Sequence, residues 1–212
     1  MGLEDKVAAG TVRFLYHSSA EKALQPSDSS RGRLRRGAKD IWKDSLDIAY
    51  NGINKTSSVK EFPVIAFVFA SPKVGGLNFV NAFNKLKHLH IIRIHNLLDI
   101  VPKYPSIGYF DVGQKIVIDT TKSPYLKLNP GDPHTRHNLE GYFHEIDGTQ
   151  GIGPLDGCKL EVNRDLALVN RIWDILKDEY LVPGAWWVEK HNGMVKQEDG
   201  KWNLMDCEEY EL

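Results

Sequence analysis

The residues with most chemical reach in this sequence are an aspartate among apolar neighbours and a run of histidines after it. Asp99 stands in Asn96-Leu97-Leu98-Asp99-Ile100-Val101-Pro102, just past a stretch that reads as a strand. In α/β sheets, catalytic groups gather outside the carboxyl ends of the strands. The flanking Leu98, Ile100 and Val101 predict that the carboxylate is at least partly buried. A buried charge is costly unless paired. A histidine ring N–H is a natural partner, and the pair would hold the imidazole as a general base. The competing reading is an aspartate that caps its own loop, and composition alone favours it. His134, His137 and His144 follow in one segment. His137 precedes Asn138-Leu139-Glu140-Gly141-Tyr142, where Leu139 and Tyr142 can anchor a short helix that steadies the ring. His88 and His90 alternate about Leu89 and share a strand face. Such a pair can bind zinc, but no third ligand stands at a telling spacing. His95, at the end of the same strand, reads as polar filler.

These groups need elements to position them. Ile41, Leu46, Ile48 and Ala49 fit an amphipathic helix ending near Asn51-Gly52. Phe62–Ala70 is a continuous apolar run of strand length, the pattern of a strand buried on both faces of a parallel sheet. Phe79, Val80, Phe83 and Leu86 then recur at helical spacing, and His88–Ile94 reads as a second strand. Strand, helix, strand implies a right-handed crossover and a parallel pair. Tyr109–Asp119 alternates like a further strand, with a hairpin about Gly113 as an option. A Pro/Gly-rich stretch over 123–133 leads to the histidines. The last helix is expected from Asn163 to Lys177, with Asn163 as N-cap and Val162, Leu166, Val169, Trp173 and Leu176 on its apolar face. The tail Val182–Trp202 carries three tryptophans and is expected to pack back on the fold. Residues 17–40 are rich in Ser, Arg and Gly without apolar period and read as loop or disorder. Their cluster Arg31, Arg33, Arg35 and Arg36 is read as a solvated basic loop.

The bulk properties narrow the function classes. With 212 residues and 42% hydrophobic content, the chain has a real core. Net charge −1 gives no overall pull toward nucleic acid, which is not expected as a partner. Two cysteines, Cys158 and Cys207, make no disulfide framework, and the start of the chain has no apolar signal region. A cytoplasmic protein that meets lipid, if at all, from the surface is the expectation; oligomeric state is left open.

Several blocks carry a resemblance. FVFASPKVGGLNFVNAF (67–83), RIHNLLDIVPKYP (93–105) and RHNLEGYFH (136–144) resemble consecutive blocks of class 3 lipases. DIAYNGINK (47–55), GYFDVGQ (108–114), DGTQGIG (147–153), LEVNRDLALVN (160–170) and LKDEYLVPGAWW (176–187) are similar to the plant phospholipase A1-II group. The resemblance implies an α/β fold class. Specifically, it implies part of an α/β-hydrolase fold, its C-terminal half, with a mostly parallel sheet and flanking helices. Residues 46–212 would be the lipase-like part and 1–45 a poorly ordered, basic segment outside the family. It implies hydrolysis of acyl esters, chiefly at the sn-1 position of phospholipids, at a membrane surface touched peripherally. It assigns the charge-relay acid to Asp99 and the general base to His137, in the chain order of this fold. No cofactor and no metal is implied.

One departure bears on catalysis. The family nucleophile sits in G-x-S-x-G, a tight strand-to-helix turn, and no serine of this chain stands in that pattern. The resemblance places the elbow about a dozen residues before the block at Asp47. Here that window reads Arg33-Leu34-Arg35-Arg36-Gly37, and no strand is read leading into it. Loss of a triad nucleophile costs on the order of 10⁶ in kcat. The chain alone is therefore expected to be inactive. A non-catalytic relative that binds lipid surfaces or a partner is the alternative.

Overall fold

The structure, a computed structural model, describes residues 12–17, 38–55, 61–128, 133–150, 158–188 and 193–205. The loop expected over 17–40 falls outside that set except for His17 and residues 38–40; its four arginines and Cys207 lie wholly outside it. The chain divides into two units. The first runs to His95 and takes in Asp99–Val117; the second holds Asn96–Leu98 and everything from Ile118.

The first unit is built on strands β1 (Val12–His17), β2 (Val64–Phe69), β3 (Leu89–Asn96) and β4 (Gln114–Ile118), in the spatial order β1-β2-β3-β4. β2 pairs in parallel with β1 (Val12 opposite Val64) and with β3 (Val64 opposite Leu89). Helix α1 (Ala38–Tyr50) and helix α2 (Leu77–Asn84) make the two connections. Ile41, Trp42, Ile48 and Ala49 of α1 form one apolar core with Val64, Ala66 and Val68 of β2 and with Leu89 and Ile91 of β3. Phe79, Val80, Phe83 and Leu86 pack on that same core, so the helical spacing read at 79–86 is its inward face. α1 stops as expected. Gly52 takes φ +67°, and Ile53 N–H donates to the Ile48 carbonyl at 3.0 Å, the 6→1 bond of a Schellman ending.

Two expectations for this unit are corrected. β1 exists, although no strand was read at that position; it is the neighbour of β2, and sheet pairing rather than local pattern defines it. The stretch 109–119 is not one strand with a hairpin. Only Gln114–Ile118 is strand. Phe110 N–H instead donates to the Gly75 carbonyl at 3.0 Å, and Gly113 turns the chain with φ +81°. A Cβ at Gly113 would stand 2.4 Å from the Ile91 carbonyl oxygen, so only glycine fits this approach.

The second unit uses little regular structure. Helix α3 (Leu139–Ile146) is joined by two-stranded ribbons, β5 (Gly148–Gln150) with β6 (Cys158–Leu160) and β7 (Met194–Lys196) with β8 (Trp202–Leu204). The helix expected over 163–177 does not form. Asp165, not Asn163, caps a 3-10 turn at Leu166–Asn170, and the chain then opens. The reason is Asn170. Its side-chain oxygen accepts the N–H groups of Ile175 (2.9 Å) and Leu176 (2.7 Å), which a helix would have bonded to carbonyls four residues back. Lys127 N–H and Tyr125 carbonyl then pair with Ile175 and Lys177 across an isolated bridge. The apolar period survives as burial of Val169, Ile175 and Leu176, while Val162 is exposed. The tail tryptophans pack together. Trp186 and Trp202 lie 4.6 Å apart by ring centroids, and the Trp186 indole N–H donates to the Ala167 carbonyl at 2.7 Å. Among the described residues no helix is long and apolar enough to cross a membrane.

Candidate active site

In the first unit, the carboxyl ends of β2 and β3 hold a buried polar cluster. β2 is followed by Ala70, a non-glycine residue at φ +50°, which turns Ser71 into the core. Trp42 Nε1 donates to Ser71 Oγ at 3.2 Å, and that hydroxyl donates to the Pro72 carbonyl at 3.0 Å. Arg93, fully buried on β3, donates to the Ser71 carbonyl at 3.2 Å and pairs with the Asp111 carboxylate. Burial pushes the Asp111 carboxyl up, but the Arg93 bond and charge outweigh it and hold it below the ordinary carboxylate range. One guanidinium ion thus ties the turn after β2 to the turn before β4.

Asp99 is 1% exposed. Its Oδ1 accepts the Val101 N–H at 2.9 Å, a local side-chain bond to the first residue of the 3-10 turn Val101–Lys103. The carboxylate is thus buried, as its apolar neighbours predicted, and it also bonds its own loop, as the competing reading expected. His95 is more than polar filler. It is buried, its Nε2 has no hydrogen-bond partner, and its pKa is pulled down to about 4. Burial is the main cause, followed by the charges of Arg93 and Lys115, with Asp111 and Asp99 opposing them. His95 is neutral at pH 7. His88 and His90 both point outward, as the alternation required, and His88 lies 3.4 Å from Glu61.

His137 belongs to the second unit, where it closes the 3-10 turn Pro133–His137 and is partly exposed. The turn is pinned on both sides. Asn96, at the end of β3, donates from Nδ2 to the Arg136 carbonyl at 3.1 Å, and its backbone N–H donates to the Tyr142 hydroxyl at 2.9 Å. Asn138 caps α3 by accepting the Glu140 N–H at 3.1 Å, as the Asn138–Tyr142 helix reading required. Asn96, Thr120, Thr135, Arg136 and Asn138 line a cavity of only ≈ 10 Å³, room for one water and no substrate group. Sequence reasoning passed over Asn96. Its signal was position: a short amide three residues before Asp99, on the strand end that also anchors the His137 turn.

A second Ser–His pair occupies the same unit. Ser123 Oγ and His144 Nε2 are 2.7 Å apart and both residues are buried. The hydroxyl also accepts the Tyr125 N–H, and burial with the Arg164 charge pulls His144 down to about 4. The spacing is that of a nucleophile and base, but burial closes it to a substrate. It is a structural tie between α3 and the 119–126 segment. His134 is exposed and stacks on Trp173. Asp99 and His137 lie in different units, each with its own supports.

Residues 45–109, which include Asp99, match the family described as lipase (class 3). The chain is 49% identical over 173 residues to phospholipase A1-II 1 of Oryza sativa subsp. indica, a match covering 82% of this chain and 42% of that protein. It is also 49% identical over 174 residues to phospholipase A1-IIgamma of Arabidopsis thaliana, covering 81% of this chain and 41% of that protein.

The chain belongs to the class 3 lipase family.

It spans less than half the length of these relatives. As a class 3 lipase relative it takes the α/β-hydrolase fold, and the parallel β1-β2-β3 sheet with α1 and α2 is the part of that fold it displays. A more distant match, 43% identical over 182 residues to phospholipase A1-II 6 of Oryza sativa subsp. japonica, again covers 82% of the chain. The likeness therefore extends well past residue 109 and includes the His137 segment.

Proposed function

We propose that residues 46–212 carry the acid–base part of a phospholipase A1-type acylhydrolase. Asp99 is the orienting carboxylate and His137 the general base. In this reading His137 takes the proton of a serine nucleophile as it attacks an sn-1 acyl ester, then returns it to the leaving alkoxide. Asp99 fixes the imidazole tautomer and offsets its positive charge. The observation that carries the reading is the 49% identity to proteins named phospholipase A1-II over 82% of this chain. The buried, loop-fixed Asp99 and the doubly pinned His137 turn support it. The substrate is a phospholipid acyl ester met at a membrane surface from the cytoplasmic side.

The chain holds no G-x-S-x-G, which favours a second reading: a non-catalytic relative that binds lipid or pairs with an intact lipase. Two constructions separate them. The 212-residue chain, given a fluorophosphonate probe and a short-chain ester, should show neither labelling nor turnover; stoichiometric labelling sinks the non-catalytic reading. A chain carrying a restored G-x-S-x-G elbow should hydrolyse the ester. His137→Ala in that chain should cost on the order of 10³-fold or more. If the restored chain works equally well without His137, the assigned base is wrong.

A further inference from the structure

The base assigned above sits on a short turn, and a short turn holds a side chain poorly. Pro133–His137 is a 3-10 turn of five residues, with few backbone bonds of its own. The missing restraint comes from Asn96 in the same unit. Asn96 is buried, and its Nδ2 donates to the Arg136 carbonyl at 3.1 Å. Its Oδ1 accepts the Thr120 N–H at 3.4 Å and the Thr120 hydroxyl at 3.2 Å. That hydroxyl in turn accepts Arg136 Nη1 at 3.3 Å, and Arg136 Nη2 donates to the Leu128 carbonyl. The bonds close a ring: Asn96 to the Arg136 main chain, the Arg136 side chain to Thr120, Thr120 back to Asn96. Buried polar groups bonded in this way rigidify one another.

The carbonyl that Asn96 holds is half of the peptide group joining Arg136 to His137. A peptide group is planar, so fixing its oxygen also fixes the plane that carries the His137 N–H. That plane constrains the direction in which the His137 side chain leaves the backbone. On the other side of His137, Asn138 N–H donates to the Thr135 carbonyl at 3.3 Å, and the Asn138 side chain caps α3. Asn96 is itself located against α3, because its own N–H donates to the buried Tyr142 hydroxyl at 2.9 Å. A bond serving stability alone could fall on any backbone group; this one falls on the peptide of the base. We propose that Asn96 is the positioning residue of the general base, aiming the His137 imidazole through the Arg136–His137 peptide. This role rests on the assignment of His137 as base. Asn96 touches no substrate, since the cavity beside it admits no substrate group.

The test separates aim from stability. In the elbow-restored chain, Asn96→Ala should lower kcat per folded molecule on the order of 10²-fold, the usual result of a small misplacement, with KM within about twofold. Thr120→Val breaks the ring one bond further away and should lower kcat less, about tenfold. Thr120→Ser keeps the hydroxyl and should restore it. Ser123→Ala removes a different buried bond to α3, the one to His144, and should lower stability with kcat unchanged. Circular dichroism gives the folded fraction of each variant. The 212-residue chain itself supplies a readout that needs no turnover. With ¹³C-labelled histidine, the order parameter of the His137 ring should fall below about 0.6 in Asn96→Ala and hold in Ser123→Ala. Three results overturn the proposal: unchanged kcat per folded molecule in Asn96→Ala, equal kcat in Thr120→Val and Thr120→Ser, or a His137 ring as ordered in Asn96→Ala as in the parent. Failure of the acylhydrolase reading looks different. His137→Ala would then leave the restored chain as active as before, while ring order would still decide whether Asn96 aims His137.

Discussion

The two units of this chain solve the same problem in opposite ways. In the first, backbone polar groups are bonded by a parallel sheet and two helices, and side chains are left free to make an apolar core of Val64, Ala66, Val68, Leu89 and Ile91. In the second, side chains do much of the backbone bonding. Asn170 takes two N–H groups and donates to the Val182 carbonyl, Asn96 holds the Arg136 carbonyl, Asp165 caps one turn and receives the Trp202 N–H, and Trp186 donates to Ala167. The difference teaches where single residues matter. A core of methyl groups shares its losses among many contacts. A side chain that bonds three backbone groups has no substitute.

The largest expected effect follows from that contrast. Asn170→Leu keeps the volume but strands the buried N–H groups of Ile175 and Leu176. At about 1–3 kcal/mol for each orphaned group, the loss is about 2–6 kcal/mol. Ile91→Val in the first unit removes one buried methyl group and should cost about 0.5–1.5 kcal/mol. Urea unfolding followed by circular dichroism measures both. Equal losses would break the comparison. The tryptophan signals sharpen it, since Trp42 reports the first unit and Trp173, Trp186, Trp187 and Trp202 the second.

Acid should strike both units through one buried histidine each. His95 in the first and His144 in the second are held at about 4, against 6.5 for a free imidazole. The folded chain therefore refuses a proton that the unfolded chain accepts. The stability from each is fully present above pH 6.5 and is lost as pH falls from 6.5 through about 4, by roughly 3 kcal/mol per histidine. Unfolding midpoints should be flat from pH 7 to 8 and fall steeply between pH 6 and 4. His144→Gln, a neutral residue able to bond Ser123, should flatten about half of that slope. An unchanged slope would mean that His144 titrates freely in the folded chain.

Which of these features could be read from sequence follows the same division. β2, β3 and the helix between them were legible because each buries a patterned face: FPVIAFVF reads as a covered strand, and Phe79, Val80, Phe83 and Leu86 as one side of a helix. The 163–177 helix was misread for the same reason. Its apolar spacing was real, since Val169 and Leu176 are buried, but periodicity reports only which side chains go inside. It is silent on what bonds the backbone, and there Asn170 decided. β1 was missed because its partner strand, not its own pattern, holds it in the sheet. At the candidate site, Asp99 and His137 stood out by residue type. Arg93, His95 and Asn96 did not, because their weight comes from burial, and burial of a polar residue on a strand shows only after pairing.

Asn96→Ala probes a smaller, local loss. The methyl group cannot reach the Arg136 carbonyl or the Thr120 hydroxyl, although the backbone bond to Tyr142 remains. The exposed Arg136 carbonyl can recruit water through the small polar cavity beside it, so about 1–2 kcal/mol is expected, less than for Asn170. Amide exchange should quicken over residues 134–138 and stay unchanged over α1, because the amide supports only the second unit.

Gly200→Ala is the smallest change and the sharpest control. Gly200 turns the β7–β8 ribbon at φ +87°, with nothing within 4 Å of an added Cβ, so the cost is left-handed strain alone, about 1 kcal/mol. Gly113 in the first unit has nearly the same φ but faces the Ile91 carbonyl at 2.4 Å, so Gly113→Ala adds a backbone clash to the strain and should cost several-fold more. Thermal melts of the two variants would separate conformational strain from crowding. If they fall equally, the first unit is not the tightly packed sheet layer that its buried strands describe, and the contrast with the side-chain-bonded unit loses one of its terms.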